Sequence, residues 1–245
     1  MELLLLSNST NHEQGYLEHA LTDVRNFLDG IQQLVFIPFA LANHDDYTDV
    51  VAKVMEPLGI QVVGLHKVDD QAGTLSSAKA IFVGGGNTFR LLKTLQQRSL
   101  IEPLSGAVTS SGSRYLSASA GTNIAGSTIR TTNDMPIVEP LSFDALGLVP
   151  FQINPHYLDA DPNSTHSGET REKRLNEFLE ENDVPVLALR EGALLRVSGT
   201  HARISGQSLV ANSGPALLFA RGQSPREVAG DIDWILQSNP KFDLH

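Results

Sequence analysis

Four side chains in this 245-residue sequence have types suited to splitting an acyl bond: Ser119, His156, Asp134 and Glu191. Ser119 lies in SASAGTN, residues 117–123, close to the G-x-S-x-G turn that lifts a nucleophilic serine to the end of a strand. The first glycine of that pattern is Ser117 here. Read alone, the stretch fits a small-residue helix N-cap equally well. As an elbow, it would offer the Ala120 N–H to a tetrahedral oxyanion. A second N–H could come from Gly86, in VGGGNTF at 83–89, because glycines after a buried strand let the main chain approach a ligand. That glycine run does not match a nucleotide loop. Position 89 of a dinucleotide fingerprint would be glycine rather than Phe89, and no G-K-[ST] follows.

A serine needs a base. His156, in QINPHYLD after a short β-like run, is the best candidate, with His166 competing. His12 and His19 flank an acidic helix start, His44 neighbours two aspartates, and His245 is terminal. A third group must orient the histidine. Asp134, in RTTNDMPIV, gives the chain order Ser–Asp–His, whereas Glu191 follows a buried strand directly. Spacing alone does not choose between them, and either could instead bind a substrate amine. Cysteine is absent and no H-E-x-x-H spacing occurs, so neither a thiol nucleophile nor a metal or other cofactor is expected.

The elements that must position these residues are short apolar runs alternating with amphipathic stretches. Strands are predicted at 3–6, 34–39, 60–66, 80–83, 114–118, 184–190, 193–198 and 216–220, and helices at 13–29, 47–58, 87–97 and 169–181. Continuous apolar strands alternating with helices predict an α/β fold, a mostly parallel central sheet flanked by helices. The last strands form a small antiparallel extension. One domain, 1–245, is expected. Ligands of such sheets sit beyond the strands' carboxyl ends, which places functional loops at 7–12, 39–47, 84–88, 119–122 and 190–192. A formal charge of −10 without Lys/Arg clusters argues against a nucleic-acid partner. The N-terminus has no basic leader, and no apolar run reaches the ~18 residues of a membrane span. A cytoplasmic monomer without membrane contact is expected.

Taken together, several segments resemble the peptidase E family of aspartyl dipeptidases. They are MELLLLSNST, FIPFA, VGGGNTFRLL, SAGTN, IRTTNDMPIV, QINPH, GETRE and EG at 191–192, in that order. The resemblance implies a fold related to class I glutamine amidotransferases (flavodoxin-like) and metal-free hydrolysis of small dipeptides with an N-terminal aspartate. It implies Ser119 as nucleophile and His156 as base, with Gly86 and Ala120 as oxyanion donors. Glu191 is favoured as the group orienting His156 because of its strand-end position, and Asp134 is kept as a site residue. Asn87, Arg130 and Arg171 are the expected substrate-binding residues, an arginine fork being suited to the aspartate carboxylate. Family members carry G-W-S-A-G where this chain has S-A-S-A-G, a change that bears on the pocket more than on the chemistry. Two other readings are a cyanophycinase-like isopeptidase acting on β-Asp-Arg dipeptides and a non-catalytic amidotransferase-like binding module.

Overall fold

Four consecutive leucines, Leu3 to Leu6, run through the centre of the main sheet. Their side chains alternate as a pleated strand requires. Leu3 and Leu5 join a core with Ile153, Leu187 and Leu189, and Leu4 and Leu6 join another with Val24, Phe27, Val51 and Met55. The structure, a computed structural model, describes residues 1–160, 168–206, 208–209 and 213–244. The competing His166 lies outside the described residues.

The strands are β1 (Glu2–Leu6), β2 (Gln33–Ile37), β3 (Gln61–Gly64), β4 (Ala80–Val83), β5 (Arg114–Ala118), β6 (Gln152–Tyr157), β7 (Val186–Arg190), β8 (Ala193–Ser198), β9 (His201–Gly206), β10 (Ala216–Phe219), β11 (Arg226–Val228) and β12 (Gly230–Asp231). The helices are α1 (Leu21–Phe27), α2 (His44–Met55), α3 (Gln71–Ser77), α4 (Thr88–Gln97), α5 (Ile101–Thr109), α6 (Ala120–Asn123) and α7 (Arg171–Glu181). The main sheet has the order β12-β9-β8-β1-β5-β4-β2-β3. It is parallel from β1 to β3 and antiparallel from β1 through β8 and β9 to β12. Helices flank it, so the fold class is as expected.

The arrangement of the later strands differs from a simple extension. β8, β9 and β12 extend the main sheet, but β7 and β10 leave it and form a second sheet, β11-β10-β7-β6. Its inner residues Ile153, Leu187 and Leu189 pack in the same core as Leu3 and Leu5. The chain crosses from the second sheet to the first between β7 and β8, at Glu191-Gly192, where Gly192 has φ 83°. Only glycine adopts that conformation freely.

Local differences also have identifiable causes. The expected helix at 13–29 is reduced to a 3₁₀ turn, Glu18–Ala20, and α1, because Glu13 and Leu17 take left-handed φ of 62° and 58°. α2 begins earlier than expected because the Asn43 side chain accepts from the Asp46 N–H as an N-cap. It gives way after Met55 to a 3₁₀ turn containing Pro57. Among the described residues no helix is long and apolar enough to cross a membrane.

Glycines offer a test of this packing. A Cβ on Gly121, in α6, would run into the Val83 carbonyl oxygen at the end of β4, whereas one on Gly106, in α5, would meet nothing. Alanine gains up to ~1 kcal/mol of helix propensity over glycine, but overpacking against backbone typically costs ~1–3 kcal/mol. Gly121→Ala is therefore expected to lower the urea midpoint, and Gly106→Ala to raise it by the equivalent of ~0.4–1 kcal/mol. Equal midpoints for the two variants would contradict this packing.

Candidate active site

β1, β4 and β5 end on one edge, with Leu6 opposite Ala118 and Val83 opposite Ser117. The chain then turns sharply at Ser119, whose φ and ψ are 53° and −111°. The side chain makes no capping bond, so this is not a relaxed helix N-cap. The backbone around it is held: Ser119 N–H donates to the Leu6 carbonyl at 3.1 Å, and its own carbonyl accepts from Thr122 and Asn123 N–H, both at 2.9 Å. Ser117, standing where the elbow pattern has glycine, is an ordinary buried strand residue without positive φ. Its hydroxyl donates to Thr122 Oγ1 at 2.9 Å, and Thr122 donates onward to the Leu6 carbonyl at 2.7 Å. The turn's strain is concentrated at Ser119, so position 117 has no need of glycine.

His156 reaches Ser119 from the other sheet. Residues Asn154 and Tyr157 of β6 pair with Ala188 and Arg190 of β7, so β6 carries one extra residue between them. Such a bulge re-aims a side chain. His156, inside it, has φ 54°. Its Nε2 lies 2.8 Å from Ser119 Oγ, and its Nδ1 lies 2.7 Å from Glu191 Oε1. A carboxylate can only accept, so Nδ1 carries the proton and Nε2 is free to receive the serine's. Asp134 does not contact the imidazole. Its Oδ2 accepts from the Thr88 N–H at 2.7 Å and the Thr88 hydroxyl at 2.6 Å, at the start of α4. Glu191 is the acid bonded to the imidazole.

Beside the serine, the glycine loop leaves one donor open. Gly84 N–H donates to the Ile37 carbonyl and Asn87 N–H to the Ala40 carbonyl, and Gly85 N–H faces the Tyr47 hydroxyl. Among the described residues Gly86 N–H has no acceptor. Gly86 has φ 134°, and a Cβ there would lie 2.6 Å from the Ala40 carbonyl oxygen, so no other residue fits. Ala120 begins α6, and its N–H is one of the four that a helix leaves unpaired at its N-terminus.

Ser119, His156 and Glu191 border a cleft of about 680 Å³. Arg171, the first residue of α7, lines it together with Asp134. Among the described residues the Arg171 Nη1 is buried without a hydrogen-bond partner. Burial above all holds its pKa below the ordinary value, Arg174 adds to this, and Glu191 and Asp134 oppose it. The other expected binding residues point elsewhere. Arg130 pairs through both terminal nitrogens with Asp243 and lies over the Phe242 ring. Asn87 caps α4 through its carbonyl oxygen and donates to the Met135 carbonyl, which occupies both ends of its amide.

Sequence reasoning missed Asn133, Tyr16 and Tyr47, which also line the cleft. Asn133 could have been found as the neighbour of Asp134. The tyrosines carry no local signal, because they meet only in the fold, hydroxyl to hydroxyl at 3.0 Å. Burial raises both their pKa values, so they stay neutral.

The profile of peptidase family S51 matches residues 3–205. A Streptomyces coelicolor protein named peptidase E is 56% identical over 245 residues, covering 99% of this chain and 98% of that one. A Drosophila melanogaster protein named "Probable alpha-aspartyl dipeptidase" is 45% identical over 239 residues, covering 96% and 97%. A solved structure from Listeria monocytogenes EGD-e has the same fold, with a TM-score of 0.64 at 24% identity over 84% of this chain and 98% of that one. On the matched profile and these identities, the chain belongs to peptidase family S51.

Proposed function

We propose that the protein hydrolyses dipeptides with an N-terminal aspartate through an acyl-enzyme on Ser119. The observation that carries this is the hydrogen-bonded line Glu191–His156–Ser119, opening into the cleft lined by Arg171, whose Nη1 has no hydrogen-bond partner among the described residues. Ser119 Oγ attacks the aspartyl carbonyl while His156 Nε2 takes its proton. The negative charge developing on the carbonyl oxygen is met by the N–H groups of Gly86 and Ala120. His156 then protonates the leaving amine, and water attacks the ester by the same path. Glu191 holds the imidazole in the required tautomer and stabilises its charged form. Relatives named peptidase E and alpha-aspartyl dipeptidase support the same reading.

Selectivity is assigned to the remaining charges of the cleft. Arg171 receives the substrate's side-chain carboxylate, for which its planar fork is suited. Glu191 is engaged by His156, so Asp134, held through one oxygen only, receives the free α-amine. The absence of cysteine fits a reducing cytoplasm.

Ser119→Ala is expected to abolish cleavage of Asp-Leu, and N-acetyl-Asp-Leu is expected to resist the wild type. Activity surviving in Ser119→Ala would exclude it as nucleophile. Faster cleavage of a β-Asp-Arg dipeptide than of Asp-Leu would favour the isopeptidase reading. Arg171→Met is expected to lower kcat/KM for Asp-Leu by about 10²-fold, the size of effect seen when a buried charged group loses its partner, and to leave Asn-Leu nearly unchanged. An equal loss on both substrates would remove Arg171 from aspartate recognition.

A further inference from the structure

The tripeptide Leu6-Ser7-Asn8, where β1 runs out, bonds the backbone N–H groups of Ser119, of His156 and of Gly192, the residue after Glu191. The Leu6 carbonyl accepts from Ser119 N–H. Ser7 Oγ accepts from His156 N–H at 2.8 Å and donates to the Leu189 carbonyl at 2.9 Å. Asn8 Oδ1 accepts from Gly192 N–H at 2.8 Å, gripping the peptide that follows Glu191. The Asn8 amide is fixed in turn, donating to Asn11 Oδ1 at 2.7 Å and to the Thr10 carbonyl at 3.0 Å. Ser7 and Asn8 are 0% and 1% exposed, so neither is available to substrate.

The placement of Ser7 has a specific consequence. Leu189 is the β7 residue opposite the extra residue of β6. The bulge that turns His156 toward Ser119 separates the His156 N–H from the Leu189 carbonyl, and the serine hydroxyl bridges the two. One proton and one lone pair are both used, so the hydroxyl's orientation is fixed. β1 belongs to the main sheet, whereas β6 and β7 belong to the second sheet. We infer that Ser7, assisted by Asn8, is a positioning residue that sets the register between the two sheets and holds the His156–Glu191 pair over Ser119. This rests on the relay described under the proposed function. Displacing a reacting group by about 1 Å can cost about 10²-fold in rate, so losing the bridge should slow the chemical step while leaving the binding groups Arg171 and Asp134 in place.

The experiment measures kcat and KM on Asp-Leu for Ser7→Ala, with Ser113→Ala as control. Ser113 is an equally buried serine whose hydroxyl also donates to a backbone carbonyl, that of Ala78, but it precedes β5 at the sheet edge away from the site. Ser7→Ala is expected to lose about 10²-fold in kcat with KM near the wild-type value, and Ser113→Ala to keep the wild-type kcat. If Ser7→Ala does not fold, the nearly isosteric Ser7→Cys, a weaker donor and acceptor, carries the test with a smaller fall in the same direction. A folded Ser7 variant with wild-type kcat would overturn the inference, as would an equal loss in Ser113→Ala or failure of both Ser7 variants to fold. An inactive Ser119→Ala beside a fully active Ser7→Ala would defeat the positioning role alone, whereas an active Ser119→Ala would defeat the relay itself.

Discussion

Two non-glycine residues held at positive φ, Ser119 at 53° and His156 at 54°, face one another across the seam of two sheets, and their 2.8 Å hydrogen bond depends on both. Each such conformation costs on the order of 1–3 kcal/mol. Folded domains have only ~5–15 kcal/mol of net stability, so this strain persists only where the surroundings dictate it. Around Ser119 they do so through bonds from its N–H and to its carbonyl, and around His156 through Ser7 and Glu191. The end of β1 anchors both. The central position of the Leu3–Leu6 strand therefore organises the site as well as the core.

The cleft that results is built for a short, charged substrate. Arg171 and Asp134 line it, as do Tyr16 and Tyr47, which meet as neutral hydroxyls. In the proposed function each of these two charged groups meets a substrate group of opposite sign. Arg171 is the informative member. An arginine nitrogen buried without a partner among the described residues costs free energy unless a ligand supplies an acceptor.

Legibility in the sequence followed how local each signal was. β1, β4 and β7 are readable as continuous apolar runs, β5 (RYLSA) only together with the turn that follows it, and Ser119, His156 and Glu191 because each sits at or near a strand end. α3 and α5 were missed, the first for its polar QAGTLSS composition and the second because Pro103 and Gly106 hide its period. The division into two sheets was not legible, since strand pairing is a long-range choice that apolar runs do not encode. That Asn87 and Arg130 are not among the residues lining the cleft has the same cause. Both lie in segments that do approach the site, but their side chains found partners, Met135 and Asp243, that are 48 and 113 positions away.

The central claim is that the strained Ser119 hydroxyl is the activated nucleophile, and covalent capture tests it most directly. A fluorophosphonate reagent that labels activated serines should add one group per chain, and peptide mass spectrometry should place it on Ser119, with activity falling in proportion to labelling. A group found on any other residue, or full activity in fully labelled protein, would contradict the account.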